Sequence, residues 1–435
     1  MTPALFAYRV LTRLAAPFLG LVMSRRAKAG KEDFLRLHER QAKRLAPRQT
    51  GPLVWLHGAS VGESALLLEL GRRILAERPH TQLLFTSQTL TSAKLVGRDL
   101  PDRAIHAMAP MDTPAIARRF IQHWKPDLCI FAEGEIWPNL IWEARRRGAR
   151  TALVNARMTQ KSAEGWARVR GLFRQLVGRF DIVLAADLDT GQRLEMLLGR
   201  PVRAAGNLKS ALPPPVASEV EVARIREGFV AGRRCLVAAS THASEEALFL
   251  DAAASLEGAA LIIAPRHPDR GAEIEEMLKA RGLRYARRSK GTVPDKRDRV
   301  LLADTMGEMG VWLRLADAVY LGGGHMPGVG GHNPLEPVRL ERPVATGPDV
   351  FNFAGMMASL EAQGLVHTVA DAAALSAFLA SPPPVPEAAV AALTEEAEQP
   401  MQVTLGAILP LLPKPLLENE APQAWDLHRL DTRRL

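Results

Sequence analysis

The chain of 435 residues contains little cysteine and few aromatic side chains. Its two cysteines, Cys129 and Cys235, provide neither a disulfide framework nor the ligand spacing of a zinc site. Both lie in apolar runs that predict strands, so we expect buried, reduced thiols. Aromatic residues make up only 5% of the chain and no nucleic-acid-binding motif accompanies them, which argues against a nucleic-acid partner.

Two common nucleotide-binding signatures are also missing. No Gly-x-Gly-x-x-Gly opens the first βα unit, which disfavours a dinucleotide cofactor, and no Walker A lysine motif exists, which disfavours NTP hydrolysis. Hydrophobic residues at 47% and charged residues at 24% indicate a globular chain. Because 435 residues exceed one compact core, we expect two α/β domains of roughly 200 residues each.

The net charge of +9 is concentrated at the N-terminus, where residues 1–50 hold eleven basic and three acidic residues. Such a patch suits anionic lipid or nucleic acid, and we favour a membrane surface. Residues 4–23 are apolar apart from Arg9 and Arg13, and only about a dozen uncharged residues follow, short of the ~20 that span a bilayer. An interfacial helix, a tilted anchor and a helix docked on its own domain all remain open.

Short apolar runs alternate with helical patterns, which is typical of βα units in parallel sheets. Proline-rich breaks at residues 213–215 and 382–386 divide the series. The sequence therefore predicts an N-terminal membrane-associated helix (1–30), two Rossmann-like doubly wound domains facing across a cleft (31–212 and 213–400) and a helical tail (401–435). The predicted strands cover residues 52–57, 82–86, 105–108, 127–131, 151–154 and 181–185, then 235–239, 260–264, 299–303, 318–321 and 343–346.

A polar cluster follows the first predicted strand. Ser60 and Glu63 fit a capping box, with the Glu63 carboxylate reaching back to the Ser60 amide. Because ligands of doubly wound sheets bind beyond the carboxyl ends of the strands, Glu63 is also a candidate general base for a sugar hydroxyl. The pattern Gly58-x-Ser60-x-Gly62 fits the nucleophile elbow of an α/β-hydrolase as well, although no upstream strand supplies its oxyanion loop.

Charged residues also follow later strands of the first series. Glu133 and Glu135 follow the end of a buried strand, where one of them can face the expected cleft while the other caps a helix. Asn155 and Arg157 follow the next strand, and Lys209 precedes the proline-rich break at the mouth of the expected cleft. A lysine at that place suits a donor phosphate or carboxylate, whereas solvated loop acids and an ordinary surface lysine are the simple alternatives.

The second series ends in polar and glycine-rich segments, among them residues 240–242, 265–268, 304–309 and 322–337. In the last of these, Asn333 is the expected N-cap, Pro334 the first helical residue and Glu336 the third. Bare amides at a glycine-rich helix start bind phosphate, and Glu336 suits ribose hydroxyls. His332 and Glu336 have no third ligand, so a metal is not expected. The pattern indicates a ligand with phosphate, ribose and base.

Taken in order, these motifs make the chain resemble the bacterial 3-deoxy-D-manno-octulosonic acid (Kdo) transferases of lipid A assembly. The resemblance runs from residue 30 to residue 354. The segments that carry it are Ala59-Ser60-Val61-Gly62-Glu63, Glu133-x-Glu135-x-Trp137-Pro138-Asn139, Asn155-Ala156-Arg157, Gly206-Asn207-Leu208-Lys209, Ser240-Thr241-His242, Pro265-Arg266-His267-Pro268, Asp304-Thr305-x-Gly307-Glu308 and Gly330-Gly331-His332-Asn333-Pro334-Leu335-Glu336-Pro337.

The resemblance implies a GT-B fold, with the lipid A precursor in the N-terminal domain and CMP-Kdo mainly in the C-terminal one. It implies an inverting transfer that needs no metal or cofactor, and an anchor on the cytoplasmic face of the inner membrane. Glu63 matches the family's base, and Glu133 and Lys209 match positions that stabilise the transition state. The residues matching its CMP-binding segments are Pro265, Arg266, Gly307, Glu308, Met309, Asn333, Pro334, Leu335 and Glu336.

The chain departs from the family pattern in two places. The loop 322–331 is one residue longer than usual, with Gly324 where a serine is common, and residues 159–161 replace a Ser-x-Arg pattern. These departures concern the donor loop and the acceptor contacts. The rival interpretations are a serine hydrolase that uses Ser60 and a non-catalytic module that binds lipid or nucleotide.

Overall fold

The computed structural model describes residues 1–413, and the last 22 residues of the predicted tail lie outside the described residues. The strands are β1 Leu53–Gly58, β2 Gln82–Ser87, β3 Ala104–Met108, β4 Leu128–Ala132, β5 Arg150–Ala156, β6 Ile182–Ala185, β7 Arg203–Ala204, β8 Cys235–Thr241, β9 Ala260–Pro265, β10 Tyr285–Arg287, β11 Val300–Leu302, β12 Ala318–Leu321, β13 Val344–Thr346 and β14 His367–Thr368.

Helices alternate with these strands. They are α1 Pro3–Lys28, α2 Leu37–Arg40, α3 Val61–Glu77, α4 Leu90–Asp99, α5 Pro114–Trp124, α6 Pro138–Arg146, α7 Gln160–Ala167, α8 Arg170–Leu176, α9 Leu188–Leu198, α10 Glu219–Ile225, α11 Glu245–Ala252, α12 Gly271–Ala280, α13 Met309–Leu315, α14 Leu335–Val338, α15 Ala354–Ala362, α16 Ala372–Ala380 and α17 Glu387–Ile408.

Two compact units make up the described chain. The first comprises residues 1–212 and the segment that begins at Glu398, and the second comprises Pro213–Ala397. The return to the first unit falls within α17, three residues before the predicted boundary at 400. There Arg73 pairs with Glu398 at 3.0 Å, and Pro400 packs so closely against Gly206 that a Cβ at residue 206 would lie 2.7 Å from it.

The first unit is built on a seven-stranded parallel sheet in the order β3-β2-β1-β4-β5-β6-β7. β1, β2 and β4 are buried at every residue, since helices cover both faces of a parallel sheet and the strands are accordingly apolar throughout. Hydroxyl side chains start the helices that follow several strands, as Ser60, Thr89 and Thr113 do for α3, α4 and α5. The winding reverses between β1 and β4, and this is where such sheets bind ligands.

The second unit repeats this plan with the parallel order β10-β11-β9-β8-β12-β13-β14. Its winding reverses between β8 and β12. The doubly wound pair of units is the predicted GT-B-like architecture, and all eleven predicted apolar runs form strands. The two cysteines lie buried in β4 and β8 as expected, and burial raises the pKa of the Cys235 thiol to about 12.

Candidate active site

Glu63 lies in the first turn of α3, directly after the switch-point strand β1. Its Oε1 accepts a hydrogen bond from the Ser60 hydroxyl at 2.7 Å, and its Oε2 accepts one from the Ala59 amide at 2.8 Å. Ser60 Oγ in turn accepts from the Glu63 amide at 3.2 Å. The capping box is therefore real, but the carboxylate reaches the Ala59 amide and not the predicted Ser60 amide. The residue is 8% exposed.

The capping hydrogen bonds do not occupy all the lone pairs of the Glu63 carboxylate. An ionised carboxylate offers about four lone-pair sites, and the cap uses one on each oxygen. One lone pair on each oxygen is therefore left to take a proton. Glu63 can serve the helix and act as a base at the same time.

The geometry of Ser60 argues against a nucleophile elbow. That elbow holds its serine on a sharp, strained turn, whereas Ser60 is extended, with φ −95° and ψ 166°. Its hydroxyl donates to a carboxylate instead of a histidine. The histidine of β1, His57, is buried and bonds through Nδ1 to Thr86 Oγ1 at 2.8 Å.

Glu133 and Lys209 come from distant parts of the sequence and form an ion pair. Lys209 Nζ lies 2.6 Å from Glu133 Oε1, and Asn155 Nδ2 donates to the same oxygen at 3.2 Å. The lysine also reaches the start of α3, where a Cβ on Gly62 would lie 3.3 Å from Nζ. The structure therefore brings all three proposed catalytic residues, Glu63, Glu133 and Lys209, to the switch point of the first sheet.

Two residues of this cluster have a strained backbone, which is further evidence for a functional site. Glu133 and Asn155 both have positive φ, 53° and 50°, in a region that residues other than glycine seldom adopt. The Asn155 side chain compensates by accepting from the Leu208 amide at 2.9 Å, which fixes the turn that carries Lys209. Strained residues at two neighbouring strand ends are typical of a functional site.

Glu135 faces a second set of partners that the sequence did not reveal. Its Oε2 accepts from Trp137 Nε1 at 2.7 Å and lies 3.3 Å from Nε2 of the buried His57. Burial raises the pKa of Glu135, but His57 and the Trp137 hydrogen bond outweigh burial and hold that pKa below its usual value. Glu133 and Glu135 have different neighbours because the chain turns at Glu133, whose φ is 53°, directly after β4 ends. The first amides of α6 bond to Asp112, so neither acid caps that helix.

A cavity of about 250 Å³ opens at the switch point of the second sheet. Arg266, Met309, Asn333 and Glu336 from the predicted set line it. Burial raises the pKa of Glu336, and the nearby Arg266 opposes that rise. The sequence did not single out three further lining residues as ligand contacts, Ser240, His332 and Phe353.

The other residues of the predicted donor set do not line this cavity. Pro265 is the buried last residue of β9, and Pro334 and Leu335 are buried at the start of α14. Gly307 adopts φ +86°, which suits a glycine turn before α13. Glu308 is bound by Arg288 at 2.5 Å and by the Thr305 hydroxyl, so its carboxylate belongs to an ion-paired network.

The helix after the glycine-rich loop starts later than predicted. Pro334 is its N-cap, and α14 begins at Leu335, one residue after the expected start. Asn333 Oδ1 still accepts a hydrogen bond, from the Leu335 amide at 3.1 Å. Because α14 has only four residues, its own dipole is small, and Arg266 is the main positive group of the cavity.

A buried carboxylate organises the glycine-rich loop. Glu245 is fully buried, and its oxygens accept from the amides of His242, Gly323 and His325 at 2.8–3.0 Å. The Tyr320 hydroxyl adds a fourth donor at 3.2 Å. Glu245 therefore fixes the ends of both switch-point strands of the second unit, a role that its sequence position did not indicate.

Two histidines pair across the same loop. Their Nε2 atoms, in His242 and His332, are 2.9 Å apart, so one ring donates and the other accepts. Burial lowers the pKa of both rings, and the pKa of His332 falls to about 4 with help from His242 and Arg266. Within residues 1–413, no group of three or more His, Cys, Asp or Glu side chains is arranged to hold a metal ion.

Steric crowding explains why glycine occupies position 324. A Cβ there would lie 2.6–2.8 Å from backbone atoms of Gly347, closer than real Cβ atoms come. The side chain of a serine at position 324 would therefore collide with the neighbouring loop.

The N-terminal helix meets the length and hydropathy expected of a membrane segment. Among residues 1–413, α1 is the one helix long and apolar enough to cross a bilayer, with mean hydropathy 1.4 and 6% of the apolar window buried. Its first turns nevertheless dock on the first unit, with Leu5 fully buried and Arg9 paired with Glu143 at 2.8 Å. It is a docked helix with an exposed apolar face.

The two doubly wound units define the class by fold: this is a protein of GT-B-like architecture. The fold is shared, for example, with UDP-GlcNAc 2-epimerase from Neisseria meningitidis, with TM-score 0.50 and 12% identity, covering 83% of this chain and all of that one. At that identity the likeness concerns the fold alone.

Sequence comparison identifies the family. The profile described as 3-deoxy-D-manno-octulosonic-acid transferase (kdotransferase) matches residues 34–212. The 3-deoxy-D-manno-octulosonic acid transferase of Rickettsia bellii is 32% identical over 348 residues, 79% of this chain and 82% of that protein. The enzyme of the same name from Haemophilus influenzae is 32% identical over 329 residues, 73% and 77% of the two chains. The chain belongs to the 3-deoxy-D-manno-octulosonic acid transferase family.

Proposed function

We propose that this transferase moves Kdo from CMP-Kdo to a lipid A precursor on the cytoplasmic face of the inner membrane. The observation that carries the proposal is the cluster at the first switch point, where the Glu133–Lys209 pair adjoins the helix start that bears Glu63. A protein that only binds lipid or nucleotide has no need of a base beside a half-buried ion pair.

In the proposed reaction, Glu63 accepts the proton of an acceptor hydroxyl. The freed oxygen forms a bond to the anomeric carbon of Kdo, and the bond from that carbon to the CMP phosphate oxygen breaks. CMP departs with the electron pair. The displacement is direct, so the anomeric configuration inverts and no covalent enzyme intermediate forms.

Lys209 and Arg266 supply the positive charge for this step. Glu133 holds the Lys209 ammonium at 2.6 Å, which orients it before substrate binds, so little reorganisation is needed as charge develops on the departing phosphate. Arg266 lines the cavity assigned to the CMP moiety, and Glu336 there is suited to accept from ribose hydroxyls. No step requires a metal, and we expect full activity in the presence of a chelator.

Attachment to the membrane is assigned to α1. The helix exposes large apolar side chains, including Leu14 and Phe18, which are 67% and 68% exposed. Arg25, Arg26 and Lys28 follow in its last turn and suit anionic headgroups. Both features fit a lipid acceptor that stays in the bilayer.

Mass spectrometry of a lipid A precursor incubated with the protein and CMP-Kdo tests the proposal. We expect products heavier by one or more Kdo units, together with CMP, and the same yield with EDTA. Ser60→Ala should keep transfer, since a serine nucleophile is not part of this mechanism, and Lys209→Met should lose most of it. An unmodified lipid, or a product that depends on Ser60, would overturn the proposal.

A further inference from the structure

The docked part of α1 makes polar contacts along one line of the first unit. The Thr2 amide donates to Gln175 Oε1 at 2.7 Å, Arg9 pairs with Glu143, and Thr12 Oγ1 accepts from Asn139 Nδ2 at 3.2 Å. Moving one turn back along α1, from residue 12 to residue 9, corresponds to moving one turn forward along α6. The two helices therefore run in opposite directions, and α1 advances toward the carboxyl edge of the sheet, where Glu133 lies.

Asp112 is the centre of this contact. It follows β3, is 8% exposed, and accepts hydrogen bonds from the amides of Asn139 at 3.0 Å and Leu140 at 2.8 Å. Trp137, the N-cap residue of α6, provides no side-chain bond, so Asp112 caps that helix from another loop. The Tyr8 hydroxyl of α1 donates to Asp112 Oδ2 at 2.9 Å.

The far end of α1 is tied to the same unit. Arg26 donates to Glu32 at 3.1 Å, and Glu32 pairs with the buried Arg40 at 2.8 Å. Arg40 in turn donates to the carbonyl of Ala109, just after β3, at 3.0 Å. The helix is thus fixed to the first unit near both of its ends.

The two faces of α1 differ in their surroundings. Plotted at 100° per residue, the exposed apolar residues fill a single arc of roughly 160°, opposite the docked face. These residues are Phe6, Val10, Leu11, Leu14, Phe18, Leu21 and Val22. A helix bound at both ends to one unit, with a lengthwise apolar face turned outward, suits the surface of a bilayer, into which that face inserts.

We propose that Tyr8, Asp112 and Asn139 form an anchor joint that holds the Glu133 loop at a fixed height above the membrane. Asn139 lies in the first turn of α6, directly after the loop that carries Glu133 and Glu135. The Asp112 carboxylate therefore binds both the membrane helix and the helix start that follows the catalytic loop. The three are positioning residues, since none is assigned to touch substrate. The inference rests on the proposed transfer to a membrane-bound acceptor.

The physical reason for such a joint is the acceptor itself. A lipid held in a bilayer presents its reacting hydroxyl at one depth, so an enzyme on a loose tether would sample many unproductive heights. A fixed helix raises the effective concentration of the site at that depth without any new contact to substrate. In detergent, where the acceptor diffuses freely, the advantage disappears.

The test compares one acceptor in two settings, embedded in vesicles that contain anionic phospholipid and dispersed in detergent micelles. The variant Tyr8→Phe with Thr12→Val removes both hydroxyl contacts and keeps the shape of the side chains. A hydrogen bond to a charged group changes an equilibrium about tenfold, so we expect transfer in vesicles to fall several-fold and transfer in micelles to change less than about twofold.

The matched control is Tyr285→Phe, which removes a tyrosine–carboxylate bond of the same 2.9 Å length to Glu275 in the second unit. This control variant should change transfer neither in vesicles nor in micelles. Equal losses of the double variant in both settings, or no loss in either, would overturn the joint. If the double variant folds poorly, Tyr8→Phe alone should give a smaller loss, again confined to vesicles.

Failure of the underlying function is distinguishable from failure of the joint. If the native protein makes no Kdo-lipid product in micelles, the proposed transfer is wrong. If it does so but fails to float with vesicles, the membrane assignment of α1 is wrong. The joint is tested only by the ratio of the two activities.

Discussion

Replacing Glu63 by glutamine separates its two roles, because the amide preserves the cap and removes the base. The glutamine carbonyl can still accept from the Ala59 amide, and its NH₂ group can donate to Ser60 Oγ. Charge-assisted bonds are roughly twice as strong as neutral ones, so the free energy of unfolding should fall by only ~1 kcal/mol. For a domain of this size that is a shift of about 2–4 °C in Tm.

The effect on transfer should be far larger. A positioned general base contributes about 10²–10⁴-fold to a rate, so Glu63→Gln should lower kcat by that factor with little change in binding of CMP to the second unit. The assay pairs thermal unfolding with the rate of Kdo transfer to a detergent-dispersed acceptor.

A buried glutamate on the same helix provides the control. Glu69 is also 8% exposed and pairs with Arg73 at 2.7 Å, so Glu69→Gln removes a similar buried contact. We expect it to lower stability by a comparable ~1 kcal/mol and to leave kcat within about twofold. If the two variants lose activity equally, Glu63 is only a capping residue and the assigned mechanism is wrong.

Three further predictions concern the second unit and the acid range. Ser244 adopts φ +72°, so Ser244→Gly should raise the free energy of unfolding by ~1 kcal/mol, measured by denaturant titration. Gly324→Ser should weaken CMP binding and lower the Tm, because its Cβ would collide with the backbone of Gly347. Burial and the adjacent Arg36 lower the pKa of His106 to about 4. In the unfolded chain His106 has the ordinary pKa of 6.5, so below pH 6.5 it binds a proton that it does not bind in the native state. The free energy of unfolding should therefore fall as the pH drops from 6.5 to 4.

Each of these has a contrary outcome. At Ser218, an N-cap with φ −74°, glycine should not stabilise, so equal gains at 218 and 244 would contradict the strain argument. Unchanged CMP binding in Gly324→Ser would show that the loop accommodates a side chain. A His106→Gln variant should lose less stability than the native protein from pH 6.5 to 4. Parallel curves would assign the acid loss to other groups.

Much of the fold could be predicted because parallel strands buried on both faces leave a plain signal, a short run of apolar residues. Three strands were missed, β7, β10 and β14. Each has only two or three residues and lies at the edge of its sheet, so its hydrophobic pattern is too short to detect. The late start of α14 is a shift of one residue, which the capping rule for Asn333 does not resolve.

The amino-acid sequence by itself determined the chemistry that this protein carries: acids, lysine and arginine at successive strand ends, and an apolar N-terminal helix with basic flanks. Those are local properties of the chain. Only the tertiary structure decided which of these groups meet. The order of the strands in the sheet, not distance along the chain, brings Lys209 to Glu133. It also places Asp112 within hydrogen-bonding distance of both Tyr8 and the first turn of α6. The reversal of winding in each sheet is a property of the whole fold, and no local pattern records it.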